Sequence, residues 1–101
     1  VPTYIYIYCP TGTHGLSRDE LEEELTLFFG DTTQDVGAGS GAGWFNLDYE
    51  LVESSDPASW IEQLAQFLEN IEVGEGTFFE VCQTDQDNEV FRQRVNISSK
   101  P

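Results

Sequence analysis

A chain of 101 residues can build one hydrophobic core and is too short for two. Its 39% hydrophobic and 13% aromatic content argues against intrinsic disorder, and its apolar runs of a few residues fall far short of the ~20 that span a bilayer. Nineteen acidic residues against four Lys and Arg give a formal net charge of -15, which disfavours direct contact with nucleic acid or anionic membrane and favours a partner with a basic surface.

The first element predicted is a strand over residues 3–9, in which Tyr4, Tyr6 and Tyr8 alternate with Ile5, Ile7 and Cys9. Successive strand side chains point to opposite faces, so one face is tyrosine and the other aliphatic. Pro10-Thr11-Gly12 ends it. A helix follows, with Ser17 as N-cap and Glu20 three residues on, the spacing of a capping box. Leu16 and Leu21 occupy the staple positions, Leu21, Leu25 and Phe28 share one face, and Gly30 is placed to end the helix.

"TTQDV" (32–36) is expected to form a short strand, with "GAGSGAG" (37–43) as a hairpin connection or wide bulge. A strand over 44–53 has Phe45, Leu47, Tyr49 and Leu51 alternating with Trp44, Asn46, Asp48 and Glu50. Asp56-Pro57 marks the start of a second helix running to about Ile71, with a stripe of Trp60, Ile61, Leu64, Phe67, Leu68 and Ile71. Strands are predicted over 77–82 and 89–97, joined by the polar "QTDQDN", and "SSKP" (98–101) reads as a tail.

The order β-α-β-β-α-β-β contains two successive strand–helix–strand units. That predicts a single-domain α+β fold, a ferredoxin-like two-layer sandwich with two helices on one face of an antiparallel sheet. Both helices then cover Ile5, Ile7, Phe45, Leu47, Leu51, Phe79, Val81 and Val95. The other face holds the three tyrosines with Trp44, Asn46, Asp48, Glu50, Phe78, Glu80, Val90, Arg92 and Arg94. An aromatic, charged open face reads as an interface.

Cys9 and Cys82 fall on opposite faces and are expected to remain reduced, which fits a cytoplasmic protein. No basic n-region with an apolar h-region is seen, so no signal peptide is expected. "GAGSGAG" lacks the lysine and the following helix of a phosphate loop. "TDQDNE" (84–89) lacks the glycine and distal Glu of a calcium loop and reads as a polar turn. His14 has no partner motif, and no set of nucleophile, base and orienting group converges. The reading is a non-enzyme with no catalytic residue, no metal site and no cofactor.

Acids cluster at Asp19, Glu20, Glu22, Glu23 and Glu24 on the first helix and at Asp48, Glu50, Glu53 and Asp56 later, whereas Arg92, Arg94 and Lys100 lie at the far end. The cluster on the first helix has no lysine four residues on to relieve it. In charge, size and plan the chain resembles the acidic DNA-mimic proteins, among them the uracil-DNA glycosylase inhibitors and nuclease immunity proteins. Glu53-Ser54-Ser55 is a short match to the Glu-Ser strand element of those glycosylase inhibitors, and no functional residue is carried over from it. The resemblance implies an acidic inhibitor or immunity-type protein that occupies the basic surface of a nucleic-acid-processing enzyme. Its acidic contacts would be Glu20, Glu22, Glu23, Glu24, Asp48, Glu50, Glu53 and Asp56, and its aromatic contacts Tyr4, Tyr6, Tyr8 and Trp44. The alternative is a homo-oligomeric or small-molecule-binding module, monomer or homodimer in isolation, whose acids only solubilise it.

Overall fold

The computed structural model describes residues 2–11, 15–51, 57–71, 73–86 and 88–97. The tail, the Asp56 cap, His14, Glu53 and Lys100 lie outside the described residues. Five strands and two helices follow in the order β1 (Thr3–Pro10), α1 (Arg18–Phe29), β2 (Thr33–Gly41), β3 (Trp44–Leu51), α2 (Pro57–Asn70), β4 (Phe78–Asp85) and β5 (Asn88–Asn96). The strands form one sheet in the order β2-β3-β1-β4-β5, every neighbouring pair antiparallel. Both helices pack on the same sheet face, so the fold is a ferredoxin-like α+β sandwich with β5 added at one edge.

The core follows from strand parity. Ile5, Ile7, Phe45, Leu47, Leu51, Phe79 and Val81 are all buried, and Val95, near the β5 edge, is partly so. Tyr49 joins them, packed against Phe29 with ring centroids 5.0 Å apart. From the helices come Leu21, Leu25, Phe29, Leu64 and Leu68. Phe28 sits at the border of this core, stacked on Phe67 at 4.5 Å and edge-on to Trp60 at 6.0 Å, which ties α1 to α2.

Local signals explain how α1 is held. The Ser17 hydroxyl accepts from the Glu20 backbone N–H at 3.3 Å, and Glu20 Oε1 accepts from the Ser17 N–H at 3.0 Å, completing the capping box. Gly30 closes the helix at φ 57°, a conformation that favours glycine, and its N–H donates to the Thr26 carbonyl.

The glycine stretch departs from expectation. Residues 37–41 belong to β2, and the hairpin turn is the dipeptide Ala42-Gly43, both at positive φ (53° and 84°) as a type I′ turn requires. Glycine is a weak strand former, but the strongly patterned β3 supplies a ladder that extends β2 as far as the turn. The bulge survives as one residue, Val36, where the register shifts between Asp35 and Gly37. β4 and β5 likewise run further than predicted, pairing as far as Asp85 with Asn88, so most of the polar segment between them is ladder rather than turn.

Candidate functional site

The sheet face away from the helices is ordered into rows by the register. One row reads Gln34, Glu50, Tyr4, Cys82, Arg92 from β2 to β5. The next reads Gly37, Asp48, Tyr6, Glu80, Arg94, and the third Gly39, Asn46, Tyr8, Phe78, Asn96. Trp44 pairs with Pro10 and Gly41 at the end of the face.

 The side chain of Trp44 is 40% exposed and meets Phe78 edge-on at 5.9 Å, while Phe78 stacks on Tyr8 at 4.9 Å and Tyr4 on Tyr6 at 6.3 Å. Four of the predicted contact residues, Tyr4, Tyr6, Tyr8 and Trp44, therefore share one surface with Asp48 and Glu50.

Charge is graded across this surface. Asp48 and Glu50 stand on β3 and the guanidinium groups on β5, and between them lie the aromatic rings and one further carboxylate, Glu80 on β4. Arg92 is bound within the chain, to Glu80 Oε2 at 2.9 Å and Glu89 Oε1 at 2.7 Å. Its pKa is raised, first by the hydrogen bond to Glu89. Arg94 instead lies over the Phe78 ring, 3.7 Å from its centroid, and makes no ion pair among the described residues. Asp48 accepts from Asn46 Nδ2 at 2.9 Å. Hydrogen bonding to Glu50 is the first cause of a raised Tyr4 pKa, whereas burial is the first cause for Tyr6 and Tyr8, with nearby carboxylates adding to it. All three shifts favour the protonated phenol, and Tyr4 is hydrogen-bonded to Glu50.

β2 contributes almost no side chains here. Gly37 and Gly39 let Asp48 and Asn46 lean over the edge strand: a Cβ at Gly39 would stand 3.0 Å from Asn46 Oδ1. Sequence parity found this face but left Phe78 and Arg94 out of the site, although both had the parity that placed the tyrosines there.

The acids of α1 are elsewhere. Glu20, Glu22, Glu23 and Glu24 stand in the helical layer, across the sheet from the tyrosines. Glu20 is engaged in the capping box and Glu22 is 3.8 Å from Arg18, so its charge is relieved by a cation four residues before it rather than by a lysine four residues after. The predicted contacts thus divide into two surfaces, with Glu53 and Asp56 outside the described residues. A cleft of about 610 Å³ beside the start of α1 runs between Pro10, Leu16 and Phe45, and two of its polar lining residues, Ser17 and Glu20, are bonded to each other.

Both cysteines are free and buried on opposite faces of the sheet, Cys9 in the core and Cys82 beneath the tyrosine face opposite Tyr4. Among the described residues no group of three or more His, Cys, Asp or Glu side chains is placed to hold a metal ion, and no helix is long and apolar enough to cross a membrane. Comparison with protein-family models, curated proteins and solved structures finds no match to this chain.

Proposed function

We propose that this protein is an acidic inhibitor or immunity-type protein that binds the basic, nucleic-acid-binding surface of an enzyme, such as a nuclease or a uracil-DNA glycosylase. The observation that carries the reading is the charge density of α1. Five of the six residues 19–24 are acidic. At a rise of about 1.5 Å per residue that is roughly one carboxylate per 1.5–1.8 Å of axis. Duplex DNA carries one charge per about 1.7 Å of its axis, so a cleft built to neutralise phosphates meets a similar field. Asp19 and Glu23 are exposed and Glu24 is half-buried, in the layer that faces away from the tyrosines. The remaining excess of acid steers encounter with a basic partner.

The test is capture of partners at low and high salt, followed by inhibition of the captured enzyme by the pure protein. A nucleic-acid enzyme held at low salt, released at high salt and inhibited in solution supports the reading. Glu23→Lys combined with Glu24→Lys is expected to abolish both binding and inhibition. Inhibition that survives this charge reversal, or the absence of any nucleic-acid enzyme among the captured proteins, counts against it.

A further inference from the structure

We propose that the open sheet face is covered by a second copy of this chain, docked face to face about a two-fold axis that runs parallel to the strands between β1 and β4. This goes beyond the reading of the helical layer and does not rest on it.

The argument comes from the rows of the sheet. Asp48 and Glu50 on β3 and Arg94 and Arg92 on β5 are separated by three strand spacings, about 14 Å. The four strands β3-β1-β4-β5 have their midline between β1 and β4. Rotation about that midline keeps each row at its height and exchanges left with right. Asp48 then meets Arg94 of the second copy, Glu50 meets Arg92, and Tyr8 meets Phe78, each contact occurring twice. Tyr6 comes opposite Glu80, a phenol donor facing a carboxylate.

The other two-fold in the plane, perpendicular to the strands, places β3 on β3 and β5 on β5. It sets acids against acids and guanidinium groups against each other, a like-charge juxtaposition that disfavours it strongly. The charge pattern therefore selects one of the two symmetric dockings. A relative rotation of about 30°, usual for stacked sheets, displaces the outer pairs by roughly 4 Å, within the reach of an arginine side chain. Arg94 is the member best suited to pair across the interface, because Arg92 is already held by Glu80 and Glu89.

Size and shape agree with this docking. Four strands by three rows make roughly 400 Å² of plan area before side-chain relief is counted, the same order as the ~800 Å² that each partner gives to a standard interface. β2 lies outside the four-stranded block, and its glycines at 37, 39 and 41 present no side chain to obstruct β5 of the second copy, which lies over β3. Tyr4, Tyr6, Tyr8 and Phe78 at the centre, with Asp48, Glu50, Arg92 and Arg94 at the margins, follow the usual anatomy of a protein interface, and the one central carboxylate, Glu80, faces a phenol.

Sedimentation equilibrium of the full chain tests the proposal. At roughly 50 μM, above the micromolar Kd of the weaker interfaces of this size, the wild type is expected at twice the 11.4 kDa chain mass. Arg94→Glu is expected to weaken the dimer by at least ~100-fold, because like charges then face each other twice. Arg94→Lys, which keeps the charge, retains the dimer. Asp48→Arg alone is expected to be monomeric, yet an equimolar mixture of D48R and R94E restores the dimer, since both of its cross-interface pairs are then of opposite sign. A wild-type monomer overturns the proposal, as does a dimer that R94E leaves unchanged, or a mixture of folded D48R and R94E that stays monomeric. Circular dichroism checks the fold of each variant. Should D48R fail to fold, R94E against R94K at the exposed β5 position decides the question alone.

Discussion

Gly15 lies directly against the backbone of Gly74: a Cβ at position 15 would stand 2.5 Å from the Gly74 Cα and 2.6 Å from the Val73 carbonyl carbon. The chain entering α1 thus meets the chain leaving α2 with no space for a side chain. Thr77 fixes the far side of this contact, its hydroxyl donating to the Gly74 carbonyl at 2.6 Å. Gly15→Ala must push two backbones apart, and a loss of about 1–3 kcal/mol in urea unfolding is expected.

Ser17 and Glu20 hold the start of α1 reciprocally. Ser17→Ala is expected to cost about 1 kcal/mol at neutral pH. The hydrogen bonds from Ser17 lower the Glu20 pKa below its ordinary 4.5. A carboxylate whose folded pKa is depressed stabilises the fold above its unfolded value and loses that contribution as pH falls through the folded one. The difference between wild type and S17A is therefore full at pH 7 and narrows below about pH 4.5, as denaturant titrations at several pH values would reveal.

Burial pushes the Cys9 thiol up to about 11, against a smaller opposing effect of the Thr77 hydrogen bond, and pushes the Tyr49 phenol up to about 12. Both groups are favoured in their neutral form by the fold. Their contribution is intact below their ordinary values of 9.0 and 10.0 and is lost as pH rises through about 11 and 12. Stability is expected to fall steadily above pH 9, and Cys9→Ala to flatten the first part of that fall. Neither buried thiol is expected to react with Ellman's reagent at pH 8 until denaturant is added.

Leu64 and Leu27 separate core from surface within the helical layer. Leu64 is fully buried, and its truncation to Ala is expected to cost about 2–5 kcal/mol through lost burial and the cavity left behind. Leu27 is 82% exposed, and Leu27→Ala should change stability by no more than about 0.5 kcal/mol. Thermal or urea unfolding of the two variants side by side measures the contrast.

Alternation and capping made most of this fold legible in the sequence. Ile5, Ile7, Phe45 and Leu47 declared their face by period two, and Ser17 with Glu20 declared a helix start, because both signals are local. The glycines at 37, 39 and 41 misled because their strand character comes from β3 beside them rather than from their own preference. Parity also placed Cys82 on the tyrosine face, but its burial there depends on neighbours from other strands, among them Tyr4 and Arg92. The site was legible as a face and less so as a set. The 3.7 Å contact between Arg94 and Phe78 requires the β4–β5 register, and the division of the acids between two layers requires knowing which side the helices cover.

Glycine-rich β2 forms one border of the sheet, where unpaired N–H and C=O groups would otherwise template another strand. Val36 interrupts that border with a bulge, and Asp35 beside it accepts from the Gly37 N–H at 3.0 Å, withdrawing one donor from the row. On the opposite border β5 carries Glu89, Arg92 and Arg94, charges that discourage lateral pairing. Sideways growth into ribbons or fibrils is thus obstructed at both margins, and a chain this rich in strand keeps its free backbone from seeding aggregation.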